Sequence, residues 1–299
     1  MRFFPILLCS LVLSACSAPE ADLPPSGAPL TDDLGRTLNL HQPPSRIVTL
    51  APSLTEVLFA IGAGDRIAGV TTADNYPPEV DALERVQALP LDFERIARLR
   101  ADLVLATDQI NPVKDADLLA DLGIPTYYTR FANVDDVPRV MRDLGTLLGL
   151  AAQAEQAARA MEDRLAAVEA RVGDVSHRPR VLVLIGPDMP YVFGGDSYVN
   201  EMVRLAGGES ITAALPDQAA LLSEEFVLAN PPDVIVLPQS TPLSAADLLK
   251  HHPTWSALPA IQNGRLYTLP PDWLLRPGPR IARAVELLAS QLHPEPATP

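Results

Sequence analysis

Two glutamates occupy matching places in the chain. Glu94 lies eight residues before Asp102 in "LDFERIARLRADLVLAT", and Glu225 lies eight residues before Asp233 in "LLSEEFVLANPPDVIVL". Each stretch reads as a short helix opening on glutamate, a turn, and an apolar run of strand type. The helix macrodipole favours a carboxylate in the first turn by about 0.3–1 kcal/mol, which accounts for either glutamate alone. It does not account for the pairing. A surface carboxylate can accept two hydrogen bonds from a guanidinium fork, which is the chemistry these two groups offer. Glu224 is the alternative if the second register slips by one.

"DWLLRPGPRI" places Asp272, Trp273 and Arg276 close together, and the aromatics Tyr76, Tyr191 and Phe193 lie in segments of loop type. Arg130, Arg276 and Arg280 are the cations an anionic ligand would need. The structural reading of the same segment is the start of a C-terminal helix, with Pro279 near its first position and Arg280 exposed. A site for a bare metal ion needs three or four His and carboxylate ligands. His41, His177, His251, His252 and His293 are scattered or adjacent, and the adjacent pair reads as a solvated helix end. No G-x-S-x-G elbow, G-x-x-x-x-G-K-[ST] loop, H-E-x-x-H or strand-following G-x-G-x-x-G is present, which leaves a two-lobed enzyme as a remote alternative.

The elements that position these residues alternate between strand and helix. "RIVTLAP" (46–52) reads as a strand and "SLTEVLFAIGAG" (53–64) as a helix with Ser53 as N-cap and Glu56 in its capping box. The pattern restarts near residue 180, where "RVLVLIGP" and "NEMVRLAGG" parallel "RIVTLAP" and "EVLFAIGAG". "DMPYVFGGDSY" reads as an added loop in the second copy. Offsets of 131 to 145 residues between the copies (225 − 94, 207 − 62) indicate a duplicated domain rather than a solenoid. Between the copies, residues 151–172 contain no Gly or Pro and carry one apolar stripe, Ala154, Ala157, Ala158, Met161, Leu165, Val168 and Val172. The expected fold is therefore α/β: two lobes, 30–150 and 173–299, each a mainly parallel sheet flanked by helices, joined by one long rigid helix, 151–172.

The N-terminus and the overall charge bound the setting. "MRFFPILLCSLVLSACS" has an early cation, an apolar stretch too short to span a bilayer, and small residues before Cys16, so residues 1–15 read as a secretory signal peptide. "LSAC" resembles a bacterial lipobox, which implies that Cys16 is lipidated and that Pro-rich residues 16–29 form a tether. Cys9 lies within the removed segment, leaving no disulfide framework. With 37 Asp+Glu against 23 Lys+Arg, the net charge of −14 argues against nucleic acid or an anionic membrane surface as partner.

Taken in order, the lipobox, the tether, "RIVTLAPSLTEVLFAIGAGDRIAGVT", "NYPPEV", "ERIARLRADLVLA", the central helix, "GGDSYVNEMVRLAGGES" and "RPGPRIA" resemble the helical-backbone substrate-binding proteins of ABC importers. The resemblance implies a periplasmic or cell-surface lipoprotein, membrane-attached through its anchor alone, monomeric, and partnered by a permease dimer with its ATPase. It implies a ligand held between the lobes, a metal chelate such as cobalamin or a ferric siderophore, or haem, and no resident cofactor or protein-held metal. It places Glu94 and Glu225 at permease docking points. "DWLLRPGPRI" is most similar to the cobalamin-binding members, which implies that Asp272 and Arg276 contact amide side arms with Trp273 nearby. Those members carry tryptophan where this chain has Ala88 and Ala219, and tyrosine at Ala73. Tyr76, Tyr191 and Phe193 are the candidate replacements for that stacking surface.

Overall fold

A computed structural model describes residues 30–294 except 41, 196, 217 and 218. The signal peptide, the tether, Cys16 and His41 lie outside the described residues. The first lobe runs β1 (Leu30–Thr31), β2 (Thr37–Leu38), β3 (Ile47–Thr49), α1 (Pro52–Ala60), β4 (Ile67–Thr71), β5 (Arg85–Val86), α2 (Phe93–Arg98), β6 (Leu103–Thr107), α3 (Lys114–Asp121), β7 (Thr126–Thr129) and α4 (Asp136–Leu148). The helix α5 (Ala151–Val172) follows. The second lobe runs β8 (Arg180–Val183), β9 (Tyr191–Phe193), α6 (Tyr198–Leu205), β10 (Glu209–Ser210), β11 (Ala219–Leu221), α7 (Glu224–Ala229), β12 (Val234–Pro238), α8 (Ala245–His251), α9 (Pro259–Gln262), β13 (Leu266–Leu269), α10 (Pro271–Leu274) and α11 (Ile281–Leu292).

Each lobe is built on a parallel sheet, of order β5-β4-β3-β6-β7 in the first and β10-β8-β12-β13 in the second. Helices cover both faces, so the central strands β6 and β12 are apolar at nearly every position and buried along their whole length. Alternate residues enter different cores, as strand geometry requires. Leu103 and Leu105 join Val181, Val183, Val234 and Val236 in one cluster shared by both lobes, whereas Val104 and Leu182 belong to clusters confined to a single lobe.

The helix α5 is what makes the shared core continuous. Its 22 residues give a rod of about 33 Å. It buries Ala154, Ala158, Met161, Leu165, Val168 and Val172 in the common cluster, and Ala157 packs against that cluster from its margin. At the turn from α4, Gly145 lies so close that an added Cβ would stand 2.2 Å from Cβ of Ala154.

The aspartates of the repeated motif have a structural duty. In a parallel sheet the first strand N–H groups have no partner strand to accept them. Asp102 accepts from Ser45 N (2.8 Å), Ser45 Oγ (3.0 Å) and Arg46 N (2.9 Å) at the entry to β3. Asp233 accepts from Arg180 N (2.9 Å) at the entry to β8. The duplication is thus preserved at the level of a hydrogen bond.

Two local expectations are corrected. The N-cap of α1 lies two residues earlier than expected: Ala51 is the N-cap, Pro52 takes the first helical position, and Ser53 is buried without capping. The segment "DMPYVFGGDSY" is not all loop, because Tyr191–Phe193 form β9, paired antiparallel with β11. That partner lies beyond helix α6, so local pattern could not reveal it.

Replacing Gly145 with valine forces α4 and α5 apart. Gly145→Val is expected to lower stability by about 1–3 kcal/mol through overpacking, read as a reduced midpoint in urea denaturation; an unchanged midpoint would contradict the packing described.

Candidate functional site

The lobes meet along a polar seam beside the ends of β4 and β13. On the first lobe, Asp74 turns back to accept from Thr71 N (2.8 Å) and Thr71 Oγ1 (2.6 Å), and Arg85 donates to the carbonyls of Thr71 (3.2 Å) and Asp74 (2.7 Å). These bonds fix the loop that carries Asn75 and Tyr76. On the second lobe, Pro271 starts the short helix α10, which sets Asp272 and Trp273 just after β13, and the chain then turns through Arg276 to Arg280 at the N-cap of α11.

Across the seam, Asn75 Nδ2 donates to Asp272 Oδ2 (2.8 Å) and Arg276 donates to Asn75 Oδ1 (2.7 Å) and to the carbonyl of Ala73 (2.9 Å). Arg276 also pairs with Asp272 at 3.1 Å. Deeper in the seam Arg280 forms a two-pronged bond to Glu56, 2.8 and 2.6 Å, with side chains only 11% and 2% exposed. The Arg280 guanidinium lies 4.2 Å above the Tyr76 ring, a cation–π contact. Burial raises the Glu56 pKa from its ordinary 4.5, and the attraction of Arg280 offsets this only in part. Elsewhere between the lobes Glu201 accepts from Val134 N (2.6 Å), beside a cavity of about 780 Å3 lined from both lobes by Asn133, Ser197, Asn200 and Arg204.

The structure brings Asp272, Arg276 and Tyr76 together with Glu56 and Asn75. It corrects the reading of Arg280 as an exposed helix-start residue. Glu56, expected to serve a capping box, reaches the other lobe instead. An acidic residue at this helix position carries no mark of such a partner, which lies 224 residues away in sequence. Trp273 and Phe193 pack against the shared core, half-buried, and the Phe193 ring meets Tyr198 at a centroid distance of 6.0 Å. Tyr191 is exposed and pairs across the β9–β11 ribbon with Leu221, which is also exposed. Arg130 is paired with Asp108.

The two glutamates occupy equivalent places. Asp92 caps α2 and Ser223 caps α7, each accepting from the backbone N–H three residues on, so Glu94 and Glu225 are both the second residue of a six-residue helix. Both are exposed, and among the described residues neither forms an ion pair. Glu224 is excluded as the counterpart of Glu94: it corresponds to Phe93, and its carboxylate accepts from Thr254 Oγ1 and meets His252 Nδ1 at 2.8 Å. Burial works against ionisation of Glu224, but the hydrogen bonds from Thr254 and His252 outweigh it and hold its pKa below the ordinary value. The expected solvated histidine pair is also corrected. His252 is buried, stacked 4.0 Å from Trp255, with Nε2 3.0 Å from the carbonyl of Pro187. Among the described residues no group of three or more His, Cys, Asp or Glu could hold a metal ion, and no helix is long and apolar enough to cross a membrane.

Residues 47–273 match the family model described as periplasmic binding protein. The chain belongs to this family. The resemblance drawn from sequence is borne out, and the enzyme alternative falls away. This periplasmic binding protein is 30% identical to the ABC transporter substrate-binding lipoprotein YvrC of Bacillus subtilis, over 97% of its own length and 96% of that protein. Its fold matches that of the periplasmic vitamin B12 binding protein BtuF of Vibrio cholerae with a TM-score of 0.73 and 28% identity, covering 84% of this chain and 97% of the other. It matches the periplasmic heme-binding protein RhuT of Roseiflexus sp. RS-1 with a TM-score of 0.74 and 28% identity, covering 83% and 97%.

Removing one member of the buried inter-lobe pair leaves the other stranded. Arg280→Met is expected to cost about 3–5 kcal/mol at pH 7, and the double variant Glu56→Leu/Arg280→Met to recover most of that loss. With its folded pKa raised, Glu56 contributes stability below pH 4.5 that is lost as pH rises through the folded value. The cost of Arg280→Met is therefore smaller in acid than at neutrality. Denaturant titrations at both pH values check this; equal costs would contradict it.

Proposed function

We propose that this periplasmic binding protein is the lipid-anchored receptor of an ABC importer, capturing cobalamin or a related corrinoid between its lobes and delivering it to the permease. The observation that carries the ligand class is charge compensation. All three candidate cations are committed to carboxylates: Arg130 to Asp108, Arg276 to Asp272 and Arg280 to Glu56. An anionic chelate would have to break such pairs and leave carboxylates facing its own charge. A neutral ligand rich in amides would not, because Asp272 offers an acceptor and Arg276 donors side by side. The likeness to the vitamin B12 binding protein supports the same reading.

Exposed apolar side chains supply surface for a flat macrocycle without the family's tryptophans. Tyr76, Tyr191 and Leu221 are 37%, 43% and 58% exposed. Haem or a ferric siderophore is the second reading, favoured by the equal likeness to a heme-binding protein. Glu94 and Glu225 are assigned to permease docking because they are exposed, unpaired among the described residues and equivalent in the two lobes. Cys16 is assigned to lipidation, which would hold a monomeric receptor at the membrane in the periplasm or on the cell surface.

The test is a fluorescence titration of the purified mature chain with cyanocobalamin, haem and a ferric siderophore, reported by Trp273 beside Asp272. Saturable quenching by cyanocobalamin, insensitive to ionic strength, is expected. In the same assay Glu94→Ala and Glu225→Ala keep the affinity of the parent, while each lowers permease association by about tenfold, the effect of losing a charge-assisted fork. Tight, salt-sensitive binding of haem or siderophore with no response to the corrinoid would overturn the ligand assignment; lost ligand affinity in the glutamate variants would move those residues to the cleft.

A further inference from the structure

We infer that Asn75 sets ligand selectivity by acting as a built-in competitor, its carboxamide occupying from the opposite lobe the seat between Asp272 and Arg276 that an amide of the ligand takes on binding. This rests on the corrinoid reading above. The seat has one acceptor and one donor in fixed order. Asp272 Oδ2 receives the Asn75 N–H (2.8 Å) and Arg276 Nη1 donates to the Asn75 oxygen (2.7 Å). A primary carboxamide completes both bonds. A carboxylate would set an oxygen against Asp272, an ammonium would face Arg276, and an ester would leave the Asp272 oxygen without a donor.

The seat does not depend on Asn75 for its shape. Arg276 is held by Asp272 (3.1 Å) and by the carbonyl of Ala73 (2.9 Å), and Arg280 stands 3.9 Å from Asp272 Oδ2. The loop bearing Asn75 is fixed through Asp74 and Arg85, not through the Asn75 side chain. One exposed side chain can therefore rotate out while the Asp272–Arg276 pair stays formed. The same contact ties loops nearly 200 residues apart across the two lobes, so leaving the seat also loosens their rim. A competitor of this kind raises the apparent dissociation constant by the reciprocal of the fraction of time it leaves the seat free, and ligands that cannot make both bonds do not displace it.

The experiment compares the mature wild-type chain with Asn75→Ala and Asn75→Asp. The probes are cyanocobalamin and a corrinoid whose amides are replaced by methyl esters, with hydrogen exchange of the ligand-free chain as an independent readout. Asn75→Ala is expected to bind cyanocobalamin about tenfold more tightly, since alanine leaves the seat empty, whereas Asn75→Asp, repelled by Asp272 but still held by Arg276, gains less. Neither gains affinity for the ester. Backbone exchange over 72–77 and 270–280 is expected to quicken in both. If wild type binds cyanocobalamin and Asn75→Ala binds it equally or more weakly, the Asn75 inference is overturned alone. If wild type binds no cyanocobalamin, the corrinoid reading falls and the amide assignment of the seat falls with it. Unchanged exchange in Asn75→Ala overturns the lobe-tying role.

Discussion

A carboxylate that is almost fully removed from water must find a partner or give up its charge, and Glu56 of the first lobe finds Arg280 of the second. The rest of the cleft rim is arranged around that contact. Arg280 faces Tyr76 on one side and approaches Asp272 on another, and Asp272 in turn orients Arg276. A buried ion pair of this kind adds little net stability, because the cost of removing both charges from water offsets their attraction. Its value lies in specificity: one arrangement of the lobes satisfies both groups, and others strand a charge. The shared hydrophobic core along α5 supplies the cohesion, and the ion pair supplies the orientation.

The electrostatics of the molecule divide into two sets. In the seam, Glu56 pairs with Arg280 and Asp272 with Arg276, so these four charges cancel locally. On the surface, Glu94 and Glu225 form no ion pair among the described residues and sit in the first turns of α2 and α7, where the helix ends favour them. The chain's strongly negative balance is consistent with that division.

The elements that follow local rules were legible in the sequence. The helix α5 was read with its observed ends because no Gly or Pro interrupts it, and its buried stripe follows the spacing of three and four. The strands β6 and β12 were legible as apolar runs, and the equivalence of Glu94 and Glu225 as a repeated motif. What escaped depends on distant partners. Glu56 and Arg280 each look like ordinary helix-start residues. His252 looks like half of an exposed pair, yet it fills a buried slot between Glu224 and Pro187. The ribbon β9–β11 joins segments separated by a helix, and Asn75 gains meaning only when the other lobe is placed against it. Local pattern fixes which elements form, whereas the chemistry of the cleft comes from side chains that meet across the fold.

The most direct test of the central claim, that a neutral amide-bearing ligand is held at the seam between the lobes, is a crystal structure of the mature chain with cyanocobalamin. A ligand carboxamide hydrogen-bonded to Asp272 and Arg276, with Glu56 and Arg280 still paired, is the predicted result. A ligand bound away from Asp272 and Arg276, or held through a broken Glu56–Arg280 pair, would contradict it.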